Sequence, residues 1–185
     1  MMVSFGPAAI LFWFSVHPFI AFWRRVGVKT TLAVHFAGMF VVAGAVIFYR
    51  EVLVRGDLGT RYVLVGLTVV LLTVSGAMRY FQNKVLPNTA IMGIPELAQA
   101  GTESTLVVQG PYARIRHPRY VQLLIAFFAD ALFANYVTCY VVLALTLIGV
   151  RVVVAFEERE LIARFGDTYR RYMETTPRFV PRSGW

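Results

Sequence analysis

The longest apolar stretch of this chain, about residues 120–156, constrains its fold more than any other feature. A single helix over these roughly 37 residues would overshoot the hydrocarbon core of a bilayer by roughly 25 Å, at about 1.5 Å per residue. Two membrane-spanning helices joined by a tight turn fit the stretch better. We expect that turn near Ala134, Asn135 and Tyr136, so that the last two helices form a hairpin.

Three earlier apolar segments approach the roughly 20 residues that a membrane-spanning helix needs. They cover about residues 7–23, 31–49 and 62–81, and a polar connection over residues 83–118 follows them. The composition agrees, because 58% of the residues are hydrophobic and only 15% are charged, whereas soluble domains carry about a quarter charged residues. The sequence therefore predicts an all-α integral membrane bundle of about five transmembrane helices.

The basic residues are concentrated on one predicted side of the membrane. The loop after the first helix, the long connection and the C-terminal tail are rich in arginine and lysine, whereas the loop near residues 50–61 also carries acids. The positive-inside rule then places the N-terminus outside and the connection and tail in the cytoplasm, in what we take to be a bacterial inner membrane. Membrane-flanking loops thus explain the formal net charge of +8, which does not indicate nucleic-acid binding.

We expect one structural domain with two functional parts. Residues 1–82 would form three transmembrane helices, a scaffold that faces lipid and substrate. Residues 83–185 would hold the cofactor-binding connection, the hairpin and a C-terminal amphipathic helix. That helix is predicted because apolar residues recur with a helical period between Leu161 and Met173, which is typical of a helix lying on the membrane surface.

Positive charge is most dense in the segment GPYARIRHPRY, residues 110–120. Proline favours the first turn of a helix, so Pro118 is expected to begin the fourth transmembrane helix with His117 at its mouth. The unpaired N–H groups and partial positive charge of a helix N-terminus favour an anion, and neighbouring arginines strengthen that preference. Alternatively, these arginines only anchor the protein at the lipid phosphates. The arginines are Arg114, Arg116 and Arg119.

Two adjacent acids, Glu157 and Glu158, are expected immediately after the fifth transmembrane helix. One interpretation is that they stabilise the first turn of a new helix. The other is that they belong to a binding site, because the two ends of a hairpin lie on the same side of the membrane and His117 would face the acids. Cations on one wall and carboxylates on the other suit a zwitterion such as an amino acid.

Other ionisable or reactive side chains fall inside apolar segments. His35 and Asp130 are functional-site candidates by default within a membrane, although His35 also fits a hydrogen-bonded helix contact and Asp130 lies close to the predicted turn. Cys139 fits a small buried apolar residue. We expect no metal site, because the 3 histidines fall on different segments without ligand spacing.

Three blocks in the C-terminal half carry specific motifs. They are STLVVQGPYARIRHPRY at residues 104–120, E-E-x-x-L-x-x-x-F-G-x-x-Y-x-x-Y at residues 157–172 and PRFVP at residues 177–181. Together they resemble the isoprenylcysteine carboxyl methyltransferase family, integral membrane enzymes that use S-adenosylmethionine and are related more distantly to phospholipid methyltransferases. The resemblance covers about residues 100–181. It implies methyl transfer to a lipid-like or small hydrophobic acceptor that arrives from the bilayer, an isoprenylcysteine-type carboxylate being one such acceptor.

The resemblance also implies a cofactor site at the cytoplasmic mouth of the last two helices. Family members often have histidine where Ser104 stands. An arginine proposed to position the substrate in eukaryotic members falls on Val153, and Arg151 lies about 200° around a helix from it. Arg151 and Arg116 are the candidates for positioning the acceptor. The implied cofactor contacts are Ser104, Thr105, Leu106 and Val107 along the adenosine, Tyr112, His117, Pro118 and Tyr120 around the methionine end, and Glu157 with Glu158 at the amino group.

Two other functions compete with this interpretation. An NADPH-dependent membrane reductase of the sterol reductase type would share the hairpin arrangement, but those proteins tend to show Y-G-x-x-W where this chain has F-G-x-x-Y at residues 165–169. A non-catalytic membrane protein could use the basic loop to bind anionic lipid, in which case His117 would be dispensable. Neither alternative requires a metal or a nucleic acid.

Overall fold

The structure, a computed structural model, describes residues 15–16, 19–86 and 105–182. Over these ranges the regular secondary structure is helical, apart from an isolated bridge between Asp57 and Tyr136. The predicted all-α class is confirmed. The helices are α1 (Ile20–Val26), α2 (Val28–Phe48), α3 (Arg50–Leu53), α4 (Tyr62–Val85), α5 (Pro111–Arg114), α6 (Pro118–Ala134), α7 (Val137–Phe165) and α8 (Asp167–Thr175).

Three of these helices, α2, α4 and α7, are long and apolar enough to cross a membrane. Large apolar side chains such as Phe40 on α2 and Val63 on α4 are 73% and 76% exposed, which suits contact with lipid. Helix α6 has 17 residues and therefore lies at the lower limit for a spanning helix. The chain is a membrane protein. The first predicted helix, residues 7–23, lies mostly outside the described residues.

Helices α6 and α7 form the predicted hairpin. Asn135 ends α6 in the left-handed conformation with φ of 50°, and its neighbour Tyr136 leads directly into α7. Asparagine tolerates this conformation better than most residues, which explains why the turn falls here. At the opposite end of the hairpin, Tyr120 on α6 packs against Val150 and Val154 on α7 in a buried cluster.

The loop between α3 and α4 is bound to the hairpin turn by backbone hydrogen bonds. The Val137 N–H donates to Gly56 O at 2.9 Å, and the Leu58 N–H donates to Asn135 O at 3.0 Å. Gly56 has φ of 73°, and a Cβ there would lie 2.7 Å from a Val137 methyl group. This position therefore requires glycine both for its dihedral angle and for the close approach.

Helices α4 and α6 run antiparallel and are joined by a ladder of polar side chains. The α4 members are spaced seven residues apart, so they lie on one face of the helix. Each donates to a backbone carbonyl of α6, which satisfies donors that would otherwise be buried among apolar side chains. The bonds run from Thr68 Oγ1 to Ala129 O (3.1 Å), from Ser75 Oγ to Gln122 O (3.2 Å) and from Gln82 Nε2 to Pro118 O (3.1 Å). The other polar atom of Gln82, Oε1, has no hydrogen-bond partner among the described residues.

Two predictions about the C-terminal region are wrong. Glu157 and Glu158 do not follow the fifth transmembrane helix or begin a new one, because α7 continues through them to Phe165 over 29 residues. The predicted amphipathic helix between Leu161 and Met173 is also not continuous. Gly166, with φ of 55°, separates α7 from α8. The sequence becomes polar after Phe156, which suggests the end of the helix. A helix ends, however, where the backbone leaves helical geometry, and the first residue to do so is Gly166.

The polar and reactive residues inside apolar segments have structural contacts. His35 bonds to Ser15 Oγ at 2.6 Å and to Thr31 O at 2.7 Å, and its ring lies edge-on to that of Trp23. The interpretation of His35 as a hydrogen-bonded helix contact is thereby confirmed. Cys139 is buried among apolar side chains of the hairpin, as predicted.

Candidate functional site

The mouth of α6 is covered by residues 176–180, which we call the C-terminal strap. The Arg116 N–H donates to Pro177 O at 2.8 Å, and the His117 N–H donates to Arg178 O at 3.1 Å. The ring centroid of Phe179 lies 6.1 Å from that of His117, and Phe179 also packs against the buried cluster of the hairpin. The PRFVP motif thus serves to fold the end of the chain back over His117.

Glu158 is the centre of a buried ionic cluster. Its Oε1 accepts hydrogen bonds from Arg116 Nε and Nη2 at 3.0 and 2.9 Å, and His117 Nε2 lies 3.1 Å away. Arg178, which is more exposed, pairs with both carboxylate oxygens. A carboxylate can only accept, so His117 carries a proton on Nε2. Glu158 is 4% exposed, and surrounding donors replace the water that it has lost.

Arg116 joins three parts of the site. Besides its contacts with Glu158, its Nη1 donates to Met173 O at 3.0 Å and to Thr176 O at 2.5 Å. These carbonyls lie at the end of α8, where the last turn of a helix leaves acceptors without partners. The guanidinium is therefore directed at protein oxygens on several sides, which holds α8 and the C-terminal strap against α7.

Glu157 differs from its neighbour. Its Oε2 is buried and has no hydrogen-bond partner among the described residues. His117 Nδ1 lies 3.8 Å away, beyond hydrogen-bond distance, and the Glu157 side chain is 20% exposed. A buried carboxylate oxygen without a partner is unfavourable, because it has given up water and gained nothing in return. Glu157 is thus positioned to accept a hydrogen bond from a cationic group.

Three tyrosines lie on the two short helices of this region, Tyr112 on α5 and Tyr169 and Tyr172 on α8. Burial raises the pKa of Tyr112 to about 12, with Arg119 opposing the shift and Glu157 adding to it. Burial also raises the pKa of Tyr172 and Tyr169. All three phenols therefore remain protonated at neutral pH. The Tyr172 hydroxyl donates to Tyr112 O at 2.5 Å, which fixes α8 to α5.

Tyr169 and Tyr172 were missed as site residues by the sequence analysis. Both belong to the F-G-x-x-Y-x-x-Y motif. Their spacing also fits the apolar stripe of a surface helix, so they were assigned to that stripe and not to the site. The available signal was Gly166 directly before them, because a glycine in the middle of an amphipathic pattern indicates a break. A break allows α8 to fold back against the mouth of the hairpin.

The structure brings some of the predicted site residues together. His117, Pro118 and Tyr120 are buried at the start of α6, and the rings of His117 and Tyr120 are 5.9 Å apart. Pro118 begins α6, as predicted. Glu157 and Glu158 face this helix start from α7.

Other predicted residues lie apart from this cluster or outside the described region. Thr105 is exposed, and Leu106 and Val107 are partly buried just before α5, whereas Ser104 falls outside the described residues. Arg151 is exposed on α7, about 10 Å along the helix axis from Glu158. No group of three or more potential metal ligands occurs in the part of the chain that the structure describes.

Sequence comparisons place the chain in a known family. A profile of the family described as Phospholipid methyltransferase matches residues 63–168, more than half of the chain. Methanethiol S-methyltransferase 2 of Bradyrhizobium diazoefficiens is 40% identical over 78 residues, which cover 38% of this chain and 27% of that protein. Methanethiol S-methyltransferase 1 of the same organism is 36% identical over 70 residues, covering 38% of this chain and 24% of that protein.

The matched segment thus spans about a quarter of the length of these curated relatives. The family match contains the starts of both hairpin helices, Glu157 and Glu158 on α7, and the histidine at the mouth of α6. The resemblance expected from the sequence motifs is confirmed at the level of the family. The chain belongs to the phospholipid methyltransferase family of membrane proteins.

Proposed function

We propose that this protein is a membrane methyltransferase that transfers a methyl group from S-adenosylmethionine to a lipid-like or small hydrophobic acceptor. Family membership and the apolar helices support the reaction class and its location in a membrane. When bound, S-adenosylmethionine supplies a methyl group already activated by the positive sulfur that carries it. The protein is then needed mainly to hold and align the reactants and to exclude water.

The observation that carries the proposal is the buried Glu157 Oε2, which has no hydrogen-bond partner among the described residues. The amino acid end of S-adenosylmethionine has an ammonium and a carboxylate. Glu157 suits the ammonium, and the N–H groups in the first turn of α6 suit the carboxylate. Both features lie at the same mouth, beside His117. The donor set therefore fits the proposed cofactor.

We assign different roles to the two adjacent acids. Glu158 is already surrounded by Arg116, His117 and Arg178, so its charge is compensated within the protein. Glu157 has only His117 Nδ1 at 3.8 Å, and its Oε2 has no hydrogen-bond partner among the described residues. Glu157 is therefore our cofactor contact, and Glu158 is the residue that holds His117 and the C-terminal strap in place.

The remaining cofactor contacts follow from the family motifs. Residues 104–107 would line the adenosine, and Tyr112 and Tyr120 would flank the methionine end near His117. Arg116 is directed at Glu158 and the end of α8, so we propose that it organises the site and does not contact the acceptor. Arg151 is exposed away from the cluster, and we assign it no role at the acceptor.

We propose that the site faces the cytoplasm, with the N-terminus outside, in a bacterial inner membrane. The ion pair between Arg24 on α1 and Glu160, at 3.2 Å, joins the basic segment at residues 24–29 to the end of α7. Both therefore lie on one side, as the positive-inside rule requires. In this arrangement residues 83–185 hold the cofactor and residues 1–82 form the scaffold that faces lipid and acceptor.

The acceptor is proposed to be small and hydrophobic. Both curated relatives are named as methanethiol S-methyltransferases, and methanethiol is a small thiol. Next to His117, the wall of the site is apolar, with Tyr120, Val150 and Val153 in one buried cluster. Val153 also stands where eukaryotic relatives are expected to have an arginine, so an isoprenylcysteine-type carboxylate lacks that partner here.

Calorimetric titration of detergent-purified protein with S-adenosylmethionine tests the proposal. We expect saturable binding by the natural chain and at least a 10-fold weaker affinity for Glu157→Gln, because a hydrogen bond from a cation to a carboxylate is among the stronger ones. Glu160→Gln is the matched control, since it removes an acid three residues away whose partner is Arg24. Absence of binding by the natural chain would refute the proposal.

A further inference from the structure

The hydroxyl of Tyr169 is an unexplained buried polar group. Tyr169 is 1% exposed, and its hydroxyl has no hydrogen-bond partner among the described residues. A buried tyrosine hydroxyl usually finds a partner, because leaving it without one sacrifices its hydration. Either the protein is less stable because this hydroxyl has no partner, or the hydroxyl bonds to a ligand that binds from outside the chain.

Loose placement of α8 does not explain this hydroxyl. The end of the helix is held by Arg116, which donates to Met173 O and Thr176 O. Tyr172, one turn after Tyr169 on the same helix, donates its hydroxyl to Tyr112 O. The hydroxyl of Tyr172 thus has a hydrogen-bond partner, whereas the hydroxyl of Tyr169 on the same helix has none among the described residues.

The surroundings of Tyr169 are those of the cofactor site. The ring centroids of Tyr169 and Tyr172 are 5.8 Å apart, and Tyr172 contacts the segment that leads into His117. The negative charges of Glu158 and Glu157 both add to burial in raising the pKa of Tyr169. The phenol therefore keeps its proton and lies within the field of both carboxylates.

Three buried side-chain atoms lack a hydrogen-bond partner among the described residues: Gln82 Oε1, Glu157 Oε2 and the Tyr169 hydroxyl oxygen. The last two are the ones that bear on an ammonium group, because Glu157 supplies a negative charge and Tyr169 lies in the field of that charge. An ammonium group has three N–H donors, and one carboxylate oxygen does not satisfy all of them. A protonated phenol can accept a hydrogen bond from an ammonium through the lone pairs of its oxygen. The two atoms together therefore suit one ammonium group better than either does alone.

We propose that Tyr169 is a second contact for the ammonium of the bound methyl donor, acting together with Glu157. This inference rests on the proposed function and extends it, since it assigns a ligand contact to a tail residue outside the residues 104–120 block and the Glu157–Glu158 pair. It also gives α8 a purpose beyond covering the bundle. The break at Gly166 and the contacts of Arg116 bring Tyr169 to the cofactor.

The test compares Tyr169→Phe with Tyr172→Phe in the full chain, using thermal unfolding and calorimetric titration with S-adenosylmethionine. Tyr169→Phe removes a buried hydroxyl that has no partner, so the unfolding midpoint without ligand should stay the same or rise. Its affinity for S-adenosylmethionine should fall about 10-fold or more, because a bond to a charged group is lost. Tyr172→Phe removes a bond within the protein and should lower the midpoint.

A second ligand separates direct contact from a change in the shape of the site. The compound 5′-methylthioadenosine has the adenosine part but no amino acid end. If Tyr169 contacts the ammonium, Tyr169→Phe should bind 5′-methylthioadenosine as the natural chain does. An equal loss of affinity for both ligands would overturn the assignment, since the hydroxyl would then act through packing.

The outcomes distinguish this inference from the proposed function. If the natural chain binds S-adenosylmethionine, Glu157→Gln weakens it and Tyr169→Phe does not, then the inference is wrong and the proposed function stands. If the natural chain does not bind S-adenosylmethionine, the proposed function itself fails. A lower unfolding midpoint for Tyr169→Phe would also contradict the inference, because it would show that the hydroxyl already has a partner in the protein.

Discussion

At the scale of single residues, the site depends on the contrast between two adjacent carboxylates. Glu158 and Glu157 are neighbours in sequence, but successive positions of a helix point about 100° apart and so meet different surroundings. Glu158 is directed into a cluster of cations, whereas Glu157 Oε2 has no hydrogen-bond partner in the described part of the chain. One acid is therefore compensated within the protein, and the other is the residue that we propose as the ligand contact.

Removing the charge of Glu158 should destabilise the fold. In Glu158→Gln the guanidinium of Arg116, which is 8% exposed, would lose its counter-ion. Breaking one side of a buried ion pair costs about 3 kcal/mol or more, because a charge is left in a poorly hydrated place. Thermal unfolding in detergent should show a clear fall in the midpoint.

The control for this substitution is Glu160→Gln. Arg24 is 34% exposed and Glu160 is 18% exposed, against 8% and 4% for Arg116 and Glu158. Water therefore compensates more of the loss, and the cost should be clearly smaller than for Glu158→Gln. If the two variants unfolded at the same temperature, the buried ionic cluster around Glu158 would not have the structural role that we assign to it.

At the scale of helices and loops, the hairpin is fixed at both ends. The buried apolar cluster around Tyr120 holds the two helices together at the mouth of the hairpin. The loop over residues 54–60 holds the turn through Gly56 and Asn135. The start of α6 and the acids of α7 stay in register only if the turn does not shift. The geometry of the site therefore depends on contacts at the opposite end of the hairpin.

The close approach at Gly56 gives a direct test of this dependence. Gly56→Ala forces a Cβ to within 2.7 Å of Val137 Cγ2 at a φ of 73°. Gly59→Ala is the matched control, because Gly59 has a φ of 77° with no atom within 4 Å of the added Cβ. The control should cost about 1–2 kcal/mol from the dihedral angle alone.

Gly56→Ala should cost at least 1 kcal/mol more than the control, measured as a lower unfolding midpoint in detergent. Equal midpoints for the two variants would show that the loop moves away from the turn without penalty. The register of the hairpin would then have another origin.

The sequence predicted those elements that depend on local chemistry. Pro118 marks the start of α6 because proline suits the first turn of a helix, and Asn135 marks the turn because it tolerates a left-handed backbone. The end of α7 was predicted wrongly, since loss of hydrophobicity at Phe156 was taken as the end of a helix. The contacts of Tyr169 depend on where Arg116 holds α8, and no local pattern encodes that placement.

At the scale of the whole molecule, the hairpin of α6 and α7 carries a polar cluster at one mouth, and α7 is long and apolar enough to cross a membrane. Helix α4 supports the hairpin through three polar side chains spaced seven residues apart, and the C-terminal strap closes over His117. The ion pair between Arg24 and Glu160 joins the N-terminal part to the same end. Family membership, the partnerless oxygen of Glu157 and the apolar wall beside His117 support our proposal of a methyl donor at this mouth and an acceptor from the bilayer.

The most direct measurement is ultraviolet photo-crosslinking of labelled S-adenosylmethionine to the purified full chain, with the modified residues located by mass spectrometry. Our account predicts a saturable adduct, displaced by unlabelled S-adenosylmethionine, within residues 105–120 or residues 157–178. The Glu157→Gln variant should lose most of this adduct at the same ligand concentration. A saturable adduct confined to residues 28–85, or none that unlabelled ligand displaces, would contradict the central claim that the mouth of the hairpin holds the methyl donor.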